Sequence, residues 1–472
     1  MRPVGIVKLR DLTQGSVFHN VISMGVPSMI GFATTTVCAL FDVFFVGLLG
    51  SAAVAGMTLA LSFAGVLSTT NSLVGAGSVA VISRRFGEKD YKGTENAIKQ
   101  TLLLKFSLAV LSGAIGLVLL RPVLSWMSAD PEVIRLGFNY GVWFFIGLPF
   151  NFCSWTMFTA FRGMGDATRA MYLMVMTTTL NIALDPLMMF EKMPSSLSIM
   201  GLNIVSEDTT IGLGLGVSGA AIAKGLALLV CCVLGLMLPY SKRTDMGWFH
   251  LGGGWRPDLA VMKRIMKIGT PPCLEGIARS LAGLTTTYFV ALYGTAVVAA
   301  YGFGCQILGF TIIAAVGMSL GTAAIVGNCL GACREQMAAR TVKTGTAVVL
   351  AICASLGVAV FSFAPQIMGF FTDEAHVVRV GIMVLRIMVF GQVLQSVRLV
   401  LASAFSGSGN TMPPTVIGLS AEGIRISLIA VLIYVFSASE MAIWWAFLMA
   451  SLIDAVVMAL WFERGKWLDG RA

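Results

Sequence analysis

Two stretches decide how this chain is read: Phe45-Val46-Gly47-Leu48-Leu49-Gly50-Ser51 and, 244 residues later, Phe289-Val290-Ala291-Leu292-Tyr293-Gly294-Thr295. The same offset relates Pro27 to Pro271 and Gly87 to Gly331. It also relates Ala160-Phe161-Arg162-Gly163-Met164-Gly165-Asp166 to Ala404-Phe405-Ser406-Gly407-Ser408-Gly409-Asn410. Pro122 and Asp130 match Pro365 and Asp373 at 243, a drift of one residue. One offset held across separated blocks marks an internal duplication.

Around these blocks the chain is 57% hydrophobic and only 12% charged, with a mean hydropathy of +0.86. A water-facing domain carries about 25% charged residues, so half the charge needed to cover a soluble surface is missing. Apolar segments of about 20 residues are spanning candidates. They fall at 17–48, 53–82, 98–120, 135–160, 168–190, 214–239, 266–293, 297–327, 342–363, 380–404, 414–436 and 441–462. The expected fold is therefore an all-α polytopic membrane protein with twelve transmembrane helices in two six-helix lobes. The lobes are 1–240 and 266–472, with 241–265 as a cytoplasmic linker. An even number of helices per copy returns the chain to its starting side. The lobes should then be related by a pseudo-two-fold axis along the membrane normal, with a cavity between them.

The basic residues orient these spans. The N-terminus, 83–99, 161–169, 240–267, 331–343 and the C-terminal tail hold 22 of the 32 Lys and Arg. The opposite loops hold Arg121, Arg135, Lys192 and Arg379. This bias places both termini in the cytoplasm of a multi-pass protein of the inner (plasma) membrane. It also accounts for the net charge of +9 without nucleic acid. Arg2, Lys8 and Arg10 before an apolar run imitate a signal peptide, but the run to Leu49 is too long and lacks a clear cleavage site. The nine cysteines form no CxxC pair and read as small apolar packing residues. His19, His250 and His376 are far apart, and no HExxH, nucleophile elbow or paired catalytic acid appears, so an enzyme is not expected. No filter loop suggests a channel, and no P-loop supplies ATP hydrolysis. Transport of a small molecule by alternating access, driven by an ion gradient, remains.

Ionisable groups inside a span are costly and usually functional. Asp42 lies in helix 1 with no basic residue within a helical turn, and its repeat partner is Thr286. Asn181 and Asp185 are four apart on helix 5 and share one face, followed by Pro186, which deprives the carbonyl of residue 182 of its helical donor. The repeat partner of Asp185 is Ile429, so both acids belong to the first half alone. A neutral carbonyl beside a carboxylate can hold a proton or a hard cation. Glu275 with Arg279, and Glu422 with Arg425, are spaced for pairing on their own helices, or else line a cavity. Asp454 near a helix end and a snorkelling Lys105 are expected to be structural.

These blocks in this order, with Asn181-Ile182-Ala183-Leu184-Asp185-Pro186 on helix 5, resemble the multidrug and toxic compound extrusion (MATE) family, most of all its DinF-like branch. The resemblance covers essentially the whole chain. It implies export of small amphipathic organic cations by antiport against H+ or Na+, with no cofactor and no obligate protein partner. By motif position it carries ion or proton coupling to Asp42, Asn181 and Asp185, and admits Na+ at Asp42 and Asp185. One departure concerns Gly219-Ala220-Ala221-Ile222-Ala223-Lys224, a block that in the family usually ends in a small hydroxyl residue. Lys224, expected near Asp185, is a tethered cation in the place of Na+, a group titrating together with Asp185, or a recruiter of anionic substrate. The alternative function is a lipid-linked oligosaccharide or other anionic-substrate flippase of the same superfamily, with Lys224, Arg279, Arg398 and Arg425 lining a basic cavity.

Overall fold

The computed structural model describes residues 11–192, 212–238, 255–372 and 374–468. Among them are thirteen α-helices. The first copy comprises α1 Val17–Gly47, α2 Ser51–Gly87, α3 Tyr91–Met127, α4 Pro131–Gly163, α5 Ala167–Met189 and α6 Val217–Met237. The second comprises α7 Leu259–Ala291, α8 Thr295–Gly331, α9 Glu335–Ser362, the short α10 Ala364–Phe371, α11 Ala375–Ser408, α12 Met412–Tyr434 and α13 Met441–Glu463. Ten of them are long and apolar enough to cross a membrane; α5 and α7 are long but fall outside that group. Their polarity comes from Arg169 and Asp185 on α5, and from Lys263, Arg264, Lys267, Glu275 and Arg279 on α7.

Most helices outrun their apolar segments, as α3 does at both ends, because the backbone ladder continues past the hydrocarbon layer into polar sequence. For the same reason α7 begins inside the stretch read as a linker, of which 241–254 lies outside the described residues. Asp373, one of the repeat markers, also lies outside them. The turn of helix α10 is absent from the sequence reading. Its eight residues are too few to register as a span, and Pro365 starts it as Pro commonly does at the first helical turn.

The duplication is visible as packing. In the first copy α1 packs on α5, α2 on α3 and α4, α3 on α4, and α6 on α4 and α5. The second copy repeats this set as α7 on α12, α8 on α9 and α11, α9 on α11, and α13 on α11 and α12. Between the copies, α1 meets α8 as α7 meets α2, and α2 meets α8.

These inter-copy contacts require residues without side chains. A Cβ on Gly327 would overlap the Ser83 hydroxyl, and Ser83 and Gly327 are themselves repeat partners, so this is the crossing point of α2 and α8. On either side, Gly87 lies against the Asn328 carbonyl and Gly331 against the Arg84 carbonyl, one contact being the repeat image of the other. Gly25 abuts Met318, Gly317 abuts Met29, and Gly269 abuts the Leu73 carbonyl. All lie toward the end of the molecule that carries the basic loops. Along α8, residues 314–330 are almost wholly buried. Nearer its start Ala299, Gly302, Gln306 and Phe310 are exposed. The two copies are thus joined at the basic end and part toward the other.

Two further ties close the basic end. Residues 11–16 fold across to the second copy: Leu12 is 2% exposed, Asn20 Nδ2 donates to the Leu12 carbonyl at 3.1 Å, and Arg334 donates to the Thr13 carbonyl. Asp258 caps α7 by accepting from the Ala260 and Val261 N–H groups, and also accepts from Asn96 of α3 at 3.1 Å. The Val261 N–H and the Asn96 amide hold the Asp258 carboxyl below the usual carboxylate range. Gly327→Val is expected to destabilise the fold by roughly 1–3 kcal/mol through overpacking at the α2–α8 crossing. The midpoint of thermal unfolding in detergent measures it, and an unchanged midpoint would rule out the crossing.

Candidate functional site

The first copy gathers Asp42 and Cys38 from α1, Asn181 and Asp185 from α5, and Lys224 from α6. Lys224 reaches inward because α6 lies close to α5: a Cβ on Gly219 would stand 2.6 Å from the Met188 carbonyl. Its ammonium sits 2.7 Å from Asp42 Oδ2. Asn181 Nδ2 donates to Asp42 Oδ1 at 3.3 Å, while the Asn181 carbonyl oxygen accepts from the Cys38 thiol at 3.4 Å. Asp185 is 0% exposed and neither of its carboxylate oxygens makes a well-formed hydrogen bond, although it lies within electrostatic reach of both Asp42 and Lys224. The Tyr140 ring of α4, also buried, faces the same charges. Phe45, Met57, Met189 and Ala220 form an apolar cluster with Tyr140 around the group, which strengthens every electrostatic interaction inside it.

The three residues predicted for ion coupling therefore do meet. Lys224 lies within electrostatic reach of Asp185, as expected, and its hydrogen-bonded partner is Asp42. Asp42 is accordingly not without a base; the base arrives from a helix 182 residues away in sequence. Cys38 was missed, although its position four residues before Asp42 puts both on one helical face. Nothing in the sequence marks Tyr140.

The second copy holds a different cluster. Glu275 Oε1 accepts from Arg279 at 2.5 Å and from Arg398 of α11 at 2.7 Å. Arg398 also reaches Asp454 of α13 at 3.3 Å and donates to the Pro414 carbonyl at 3.1 Å. Arg425 pairs with Glu422 at 2.7 Å. Both pairings expected on single helices form, and Glu275, Arg279 and Glu422 in addition border a cavity of about 30 Å³ with Arg398 and Asp454. Gly418 leaves room for the network, since a Cβ there would meet both Arg398 and Glu275. Asp454 is not near a helix end; it lies in the middle of α13 and is wired to Arg398. Lys105 does not snorkel. It is 1% exposed, within electrostatic reach of Cys153 and Arg162 of α4.

In repeat terms, Glu275, Arg279, Arg398, Glu422 and Arg425 stand where the first copy has Gly31, Thr35, Ser154, Thr178 and Asn181. Conversely, Thr286 bonds within its own helix and Ile429 is packed in the core. Glu275 and Asp42 differ by eleven repeat positions, about 16 Å of helical rise. Two ionisable clusters thus lie at different depths. The first has two carboxyls and one ammonium, the second three carboxyls and three guanidiniums. With every group ionised, the first would carry one net negative charge and the second none.

Arg398→Met strips Glu275 and Asp454 of their buried partner and is expected to cost about 3–5 kcal/mol. Arg279, whose side chain is 48% exposed, should cost no more than about 1 kcal/mol as Arg279→Gln. Thermal unfolding of the two variants compares them, and equal losses would contradict the central place given to Arg398.

Comparison with known proteins agrees with the duplication. The MatE family model matches residues 27–187 and again 271–431, two segments separated by the repeat offset. The multidrug export protein MepA of Staphylococcus haemolyticus is 22% identical over 445 residues, 94% of this chain and 92% of its own length. The probable multidrug resistance protein YoeA of Bacillus subtilis is 24% identical over 374 residues, 79% of this chain and 77% of its own. Among solved structures, a MOP superfamily transporter from Pyrococcus furiosus, described as having a binding pocket of reverse polarity, superposes with a TM-score of 0.86 at 22% identity, covering 98% of both chains. A multidrug resistance MATE family transporter in an outward-facing conformation gives 0.83 at 22% identity, over 98% of this chain and 99% of that one. Matched once by each copy of its duplication, this chain belongs to the MatE family.

Proposed function

We propose that this protein is a secondary active transporter that exports small amphipathic organic cations by antiport against H+ or Na+. In this reading the twelve long helices all cross the inner membrane, and residues 1–240 and 266–472 form two lobes about a pseudo-two-fold axis. The basic end is cytoplasmic. The names of two relatives, a multidrug export protein and a probable multidrug resistance protein, support the export of drugs.

The observation that carries the reading is the charge balance around Asp42. With Asp42 and Asp185 ionised and Lys224 protonated, the group has one surplus negative charge. One proton neutralises it, and so does one monovalent organic cation. Two ligands that compensate the same charge exclude each other, which is the requirement for exchange. Alternating access then follows if the glycine-packed basic end opens as the opposite end closes. The site's placement toward the parted end supports release to the outside. The anionic-substrate flippase has less support, since Arg279, Arg398 and Arg425 are each engaged by a carboxylate.

In proteoliposomes loaded with a fluorescent organic cation, Asp42→Asn and Asp185→Asn are expected to reduce gradient-driven efflux to background. Because Asp42→Asn strands the Lys224 charge, the pair Asp42→Asn with Lys224→Met serves as the second variant, and thermal unfolding checks that each is folded. Undiminished efflux from folded variants would remove the coupling role from these residues.

A further inference from the structure

We propose that the Lys224 ammonium is a tethered replacement for a metal cation in the Asp42 site, so that the first copy binds no Na+ and exchanges its organic substrate against protons alone. This rests on the antiport reading above and narrows it.

Three observations carry it. The ammonium stands 2.7 Å from Asp42 Oδ2, in the volume that a metal ion bound to that oxygen would fill. A second cation beside it would be repelled by a like charge at short range in apolar surroundings. The Asn181 amide is also turned the wrong way for a metal. Its nitrogen donates to Asp42, and its oxygen, the atom a hard cation would need, accepts from Cys38. Finally, the lysine is placed by packing: Gly219 sets α6 against α5, where a Cβ would stand 2.6 Å from the Met188 carbonyl, and Gly225, one residue past Lys224, faces Gly147 of α4.

The same geometry disposes of the two other roles open to Lys224. An ammonium engaged by Asp42, in a group with a surplus negative charge, does not recruit an anion. Its direct partner is Asp42, which leaves Asp185 as the carboxyl free to change partners between a proton and the substrate cation. The groups that face this exchange are Cys38 and Asp42 on α1, Tyr140 on α4, Asp185 on α5 and Lys224 on α6.

The test is the response of the purified full chain to NaCl against choline chloride at equal ionic strength, read as thermal midpoint and tryptophan fluorescence. The wild-type protein is expected to show no Na+-specific shift. Lys224→Thr removes the ammonium and supplies an oxygen, and is expected to gain a saturable, Na+-specific rise in midpoint. Lys224→Arg keeps a cation in place and should remain insensitive. A saturable Na+ effect on the wild-type protein would overturn the proposal, and so would a folded Lys224→Thr that stays indifferent to Na+. The wild-type measurement stands even if the variants do not fold. Wild-type efflux driven by a Na+ gradient alone would also overturn it while leaving antiport intact. Failure of efflux under either gradient would count against the antiport reading only, because Na+ binding is read separately.

Discussion

A charge carried into the hydrocarbon layer must find its compensation there, since water cannot supply it. The two copies answer that constraint differently. In the second copy six charges cancel: one Glu275 oxygen serves two guanidiniums, Arg398 also reaches Asp454, and Glu422 pairs with Arg425. In the first, Asp42, Asp185 and Lys224 would carry one net negative charge with both carboxyls ionised. A balanced cluster resists change, because removing any member strands another. An unbalanced one stays receptive to an incoming cation.

The scaffold that holds the two clusters is the part the copies kept in common. Its inter-copy contacts come in pairs exchanged by the repeat offset, and they depend on glycines that let backbones touch. A contact made by backbone against backbone has little side-chain rotamer freedom to lose and no polar group left uncovered, so it can serve as a seam along which two rigid bundles part and rejoin. The strap at residues 11–16 and the Asp258 cap reinforce that seam through hydrogen bonds at the water-facing end, where solvent can take over each bond on release.

Much of this was legible in the residues. The spans follow from apolar length, and the duplication from one offset. The candidate acids follow from the cost of burying them. Asp42 and Asp185 stood out because no base lies near them along the helix, and Asn181 because it shares a face with Asp185. Neighbours across helices were not legible. The Lys224–Asp42 pair and the Arg398–Asp454 contact have no sign in the sequence, and Lys105, expected to snorkel, is buried. Each contact depends on the direction in which a helix is rotated, which hydropathy does not record when a helix is apolar all round.

The sequence by itself determined that this chain is a duplicated bundle of membrane helices and that its copies had diverged in their buried charges. Periodicity, length and composition are properties of single segments and can be read one segment at a time. Only the tertiary structure decided which charges share a partner. Helices packed side by side bring together residues more than a hundred positions apart, and a rotation of a third of a turn exchanges one partner for another. For that reason the surplus charge at Asp42, Asp185 and Lys224 became visible only once α1, α5 and α6 were seen together.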